Sequence, residues 1–212
     1  MIRNHLSGFL AFFAACFVTV TLAAQVPREW RTPATPFRIA GNLYYVGSED
    51  LAAYLIATPR GNILINSNLA SSPAQIRRSI EQLGFRYRDT KILLISHGHY
   101  DHCAGSAEVL RETHAKYEVM AQDVPVVESG GRSDFNYAHD KSMWFPPAHV
   151  DRVLRDGDTV SLGGVALTAH LTAGHTKGTT TWTFDESDKA RTLHVVIVGS
   201  PNVNTGYKRV GN

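Results

Sequence analysis

The segment Ser96-His97-Gly98-His99-Tyr100-Asp101-His102 constrains this chain more than any other. It places three imidazoles and a carboxylate within six residues, directly after the apolar run 92–95, which reads as a strand buried on both faces. Histidine nitrogen and carboxylate oxygen are zinc ligands, and a catalytic zinc site keeps one position open for water. In extended backbone, residues two apart point the same way, so His97, His99 and Asp101 can converge, while His102 is turned aside toward a neighbouring ion. Gly98 has no side chain to obstruct that approach. His175, flanked by glycines and threonines in Thr172-Ala173-Gly174-His175-Thr176-Lys177-Gly178, is expected on a sharp loop where it completes a three-histidine site. A single histidine would read as a surface or capping residue. Four ligand-type side chains at this spacing, with a downstream Gly-His-Thr, read as a metal site.

The pattern around this motif alternates short strands with turns and a few helices. Apolar stretches at 37–40, 43–46, 51–58 and 61–66 are separated by Gly41-Asn42, Gly47-Ser48 and Pro59-Arg60-Gly61, as expected of antiparallel strands or hairpins. Ser72-Pro73 opens a helical spacing closed by Gly84, with Ser72 as its N-cap. Further helices are predicted over 104–113 and 123–128, and strands over 117–121, 153–154, 159–162, 165–171, 179–184 and 193–198. The irregular stretch 130–147 is too long for a turn and is expected to form a loop over the active site. Strands, then helices, then strands again predict an α+β or layered α/β/α domain.

The N-terminus has a basic tip, an apolar run from Phe9 to Leu22 and a small-residue exit at Ala23-Ala24, the parts of a secretory signal peptide. Residues 1–24 are therefore expected to be a signal peptide, 25–36 a Pro-rich linker, and the rest one domain, in a periplasmic or secreted protein. With the leader goes Cys16, leaving Cys103 alone and no internal disulfide; Cys103 is expected to pack against the helix that follows the motif. The net charge of +2 is small, with Lys and Arg scattered, which disfavours nucleic acid and anionic membranes as partners. A small-molecule substrate, no stable membrane association after leader cleavage and a monomeric state are expected.

His-x-His-x-Asp-His with a downstream glycine–histidine loop resembles the signature of the metallo-β-lactamase superfamily, over a span from about Phe37 to the chain's end. The resemblance implies an αββα sandwich of two mixed sheets flanked by helices, with the metal site at one edge and the last part of the fold missing here. It implies that His97, His99 and His175 bind one zinc and that Asp101 and His102 bind a second, with Asp101 also the residue closest to a general base. The last ligand of the second zinc would come from beyond Asn212, so that site is expected to be incomplete. The leader, His102, and the passage from Thr168-Ala169-His170 through Gly174-His175-Thr176 to Thr181-Trp182 are similar to the third subclass of class B β-lactamases. So are 130–147 and Asp156-Gly157-Asp158. By the same resemblance Ser200 helps hold a substrate carboxylate, and Asn202 is a further candidate for hydrogen-bonding the substrate. Asn66 departs from the aspartate common at its position, which is not a zinc ligand. The implied function is hydrolysis of a β-lactam amide by a metal-activated hydroxide, conferring antibiotic resistance. The alternatives are a secreted superfamily hydrolase of a lactone or thioester, or an inactive zinc-binding fragment.

Overall fold

The computed structural model describes residues 26–203. The expected leader with Cys16, and the chain from 204 onward, lie outside the described residues. Four antiparallel strands, β1 (Phe37–Ala40), β2 (Leu43–Tyr45), β3 (Tyr54–Thr58) and β4 (Gly61–Ile65), form one side of a seven-stranded sheet. Its other side is parallel: β5 (Thr90–Leu94), β6 (Lys116–Met120) and β7 (Arg152–Leu154), in the order β1 to β7. The parallel strands are linked through α1 (Pro73–Gln82), then α2 (Tyr100–Cys103) and α3 (Ser106–Thr113), then α4 (Val124–Ser129). A second sheet, antiparallel throughout, is built from β8 (Thr159–Leu162), β9 (Val165–Leu171), β10 (Thr180–Asp188) and β11 (Arg191–Ile197), in the order β11-β10-β9-β8.

Strand alternation divides the apolar residues between two cores. On β4 and β5, Leu64 and Leu93 face the helices, where they meet Ile76, Ile80, Val109, Val126 and Val127. Their neighbours Ile63, Ile65, Ile92 and Leu94 face the second sheet and pack on Leu167, Trp182, Phe184 and Ile197. Each such side chain contributes roughly 1.5–3 kcal/mol on burial, so the two layers bind the sheets face to face. The result is the expected α+β sandwich of two sheets, with two corrections: only the seven-stranded sheet is mixed, and among the described residues the helices pack on that sheet alone. Among the described residues every side chain in the inter-sheet core comes from a strand, and Val196 on the far face of the second sheet is exposed.

Several boundaries differ from the sequence reading for local reasons. Ser72 does not cap α1 through its hydroxyl; it is already αR, and its carbonyl accepts from Gln75 N and Ile76 N. Residues 28–30, in the expected linker, form a 3-10 turn that sets Trp30 with its ring centre 6.1 Å from that of Tyr100. No helix among the described residues is long and apolar enough to cross a membrane.

Candidate metal centre

The site lies where β5, β6 and the β9–β10 connection end together. Thr180 N donates to Ser96 O at 2.8 Å, and Trp182 Nε1 donates to Ile95 O at 3.3 Å, so the start of β10 is fastened to the residues just before His97. That fastening brings the 172–179 loop, and His175 with it, against the motif that follows β5.

The strand ends at Leu94, the backbone bends at Ser96, Gly98 and His99, and helix α2 begins at Tyr100. Asp101 therefore does not continue a two-residue alternation with His97 and His99, as an extended chain would require. A helical turn instead carries Asp101 and His102 round to His97. Two groups of potential ligand atoms result: His97, His99 and His175, and His97, Asp101 and His102, each group lying within 4.8 Å. His102 is thus beside His97, with ring centres 4.0 Å apart, and its Nε2 is 3.6 Å from Asp101 Oδ2.

His99 Nδ1 and His175 Nε2 face each other at 3.1 Å. Two nitrogens on one tetrahedral ion with bonds of about 2.0–2.1 Å lie roughly 3.3 Å apart, so this pair already has the spacing of shared ligands. Burial, followed by the nearby His102, His99 and His175, pushes His97 well below its ordinary pKa. Burial also lowers His102, against the opposing pull of Asp101, and burial lowers His175. These rings are consequently neutral near pH 7, the form whose lone pair binds a metal. His102 Nδ1 is buried with no hydrogen-bond partner. The donor set and spacing fit a divalent metal of zinc type.

Two supporting carboxylates, Asp123 and Asp134, escaped the sequence reading, and Asn66, noted there only as a departure from the family pattern, is a third supporting side chain. Asp123, 1% exposed, accepts from Gly98 N (2.7 Å), Thr176 Oγ1 (2.7 Å) and Gly178 N (2.9 Å), so one carboxylate holds both histidine-bearing loops. A Cβ on Gly178 would sit 2.5 Å from Asp123 Cγ, which makes glycine the residue that allows this approach. Asp134 reaches His99 from the 130–147 loop, and the Tyr137 ring stands 5.0 Å from the His99 ring. Burial alone would raise the Asp134 pKa, but the adjacent His99 imidazole and bonds from Tyr137 N and Asn136 N outweigh it and hold the carboxyl below its usual range. Asn66, in the left-handed region with φ 69°, accepts from Ser96 N at 2.8 Å and donates to Ser96 Oγ, tying the end of β4 to the motif.

Ser200 and Asn202 follow β11. Val203 beside them comes within 3.1 Å of where a Cβ on Gly174 would stand, which sets this segment alongside the His175 loop. Ser200 Oγ accepts from Asn202 N at 3.3 Å, and among the described residues no hydrogen bond joins either to the five clustered side chains. His170, His149 and His194 have other partners, in Thr183, Glu128 and Asp185. Cys103 is buried against the helical core, and its Sγ donates to His99 O at 3.1 Å. Burial, reinforced by Asp101, Asp123 and Asp134, drives its thiol well above the usual range.

Residues 51–188 match the family model of the metallo-beta-lactamase superfamily. The native FEZ-1 metallo-beta-lactamase from Legionella gormanii is 59% identical with a TM-score of 0.82, over 85% of this chain and 69% of that one. The class B3 di-zinc metallo-beta-lactamase LRA-12, from an Alaskan soil metagenome, is 44% identical with a TM-score of 0.80, over 83% and 66%. A UPF0173 metal-dependent hydrolase of Rubrobacter xylanophilus is 32% identical over 118 residues, 55% of this chain, and the chain spans 40% of that protein's length.

Proposed function

Since the chain belongs to the metallo-beta-lactamase superfamily, we propose that it is a zinc-dependent β-lactamase of the third class B subclass, active outside the cytoplasm and conferring antibiotic resistance. The observation that carries the substrate assignment is the 59% identity to a solved metallo-beta-lactamase across most of the chain, combined with the five-residue cluster built from the expected positions. His97, His99 and His175 would hold one zinc, and Asp101 and His102 would hold a second. Bound there, zinc supplies the Lewis acidity that makes water a nucleophile near neutral pH and polarises the carbonyl under attack.

The remaining work falls to the chain itself. Burial keeps the His97, His102 and His175 imidazoles neutral and so available as donors. Asp101, with a carboxylate oxygen 3.6 Å from His102 Nε2, offers the one acidic oxygen within the cluster that can orient a water and take its proton. The Asp123 clamp fixes the two loops relative to each other, so the donors are arranged before substrate arrives. Ser200 and Asn202, alongside the His175 loop, would meet a substrate carboxylate. The curated relative, whose name gives a metal-dependent hydrolase and no substrate, favours the second reading: the same chemistry on a lactone or thioester.

The test is a substrate panel of a penicillin, a carbapenem, a lactone and a thioester, run with measured zinc content. β-Lactam hydrolysis that tracks bound zinc and disappears with a chelator is expected. Zinc-loaded protein that opens the lactone or thioester but no β-lactam establishes the second reading instead, and zinc without any turnover marks a binding fragment.

A further inference from the structure

The loop 130–147 is pinned at three places. Phe145 N donates to Gly130 O at 3.1 Å, closing its base, and Phe145 itself lies in the helical core instead of facing the site. Asp134 Oδ1 accepts from Asn136 N and Tyr137 N, both at 2.7 Å, which folds the first half of the loop into a tight turn about the carboxylate. The other carboxylate oxygen, Oδ2, faces His99 Nε2 from 3.3 Å; the Asp134 and His99 side chains are 3% and 5% exposed, and both atoms are buried without a hydrogen bond, so each lacks the kind of partner that the other can supply. His99 thus faces His175 through Nδ1 and the loop through Nε2.

A neutral imidazole carries one proton, and a metal on Nδ1 leaves that proton on Nε2. Nε2–H is the donor that Asp134 Oδ2 requires. Metal binding at His99 and docking of the loop on His99 therefore select the same tautomer and ring orientation, and each makes the other more favourable. We propose that Asp134 is a positioning residue that couples the 130–147 loop to the metal centre: loading the metal fastens the loop, and a docked loop tightens the metal. This rests on the zinc-site reading above but not on the identity of the substrate. Tyr137, carried on the same turn, is set against the His99 ring by this contact and is the wall of the site most directly controlled by it.

The experiment measures zinc affinity by competition with a chromophoric chelator, together with amide hydrogen exchange across 130–147 with and without zinc. The full chain, D134A and D134N are compared. Zinc is expected to slow exchange at 133–140 in the unmodified chain, and D134A is expected to bind zinc roughly 10–100-fold more weakly and to lose that slowing. D134N keeps one acceptor oxygen but no charge, and an intermediate loss is expected; it carries the test if D134A does not fold. D134A with a looser loop but unchanged zinc affinity overturns the proposal, leaving the metal site standing. Absence of zinc binding in the unmodified chain overturns the proposal together with the metal reading, while failure on every β-lactam touches only the substrate assignment.

Discussion

Asp123 supplies no ligand, yet three donors from two loops converge on it, and losing it strands all three in a buried place. Each hydrogen bond to a charged acceptor is worth about 1.5–3 kcal/mol, and unpaired buried donors cost about 1–3 kcal/mol each. Asp123→Ala is therefore expected to destabilise the fold by about 3 kcal/mol or more in urea unfolding and to weaken zinc binding, whereas Asp185→Ala, on the exposed face, should do neither. The five clustered residues were legible in sequence because four are near neighbours and the fifth sits in a glycine-flanked loop. Asp123 and Asp134 were not. Asp123 meets its partners 25 and 53 residues away, and nothing local distinguishes it from any aspartate before a helix.

At the level of elements, apolar runs located nearly every strand, because each strand but the exposed edge strand β1 buries side chains on at least one face. The exceptions have specific causes. The strand expected to end at 184 continues as β10 to Asp188, since Asp185, Glu186, Ser187 and Asp188 pair with His194, Leu193, Thr192 and Arg191. That ladder is held by backbone bonds, which leave no apolar trace in sequence. The helix expected over 104–113 begins at Ser106 as α3, and a separate helical turn, α2, precedes it over Tyr100–Cys103; between the two, Gly105 N is diverted to Asn68 O. The earlier start of α2 is what moves Asp101 and His102 onto a helical turn. Trp182 is the side chain through which β10 serves both layer and site: it is 1% exposed in the inter-sheet core, and its indole donates to Ile95 O. Trp182→Ala is expected to cost about 3–5 kcal/mol, and Trp182→Phe, which keeps most of the packing but not the donor, clearly less. Denaturant midpoints of the two variants measure the difference.

Across the whole molecule, stability and chemistry occupy different regions: a sheet–helix layer and a sheet–sheet layer carry the apolar burial, and the donors gather at one end where both sheets terminate. The layered class was legible from the succession of elements, but the pairing of β5 with β4 and β6, which decides where the motif emerges, was not, since a buried strand names no neighbour. The buried thiol of Cys103 turns this arrangement into a clock. Cys103 is 1% exposed and its sulfur donates to the carbonyl of His99, so an alkylating reagent reaches it only when the turn bearing His99 to His102 opens. The rate of modification at Cys103, located by peptide mass mapping, counts those openings. An ion that binds only the closed turn should slow the count by about one plus the ratio of its concentration to its dissociation constant, and a rate indifferent to zinc would mean that the turn opens without releasing the ion.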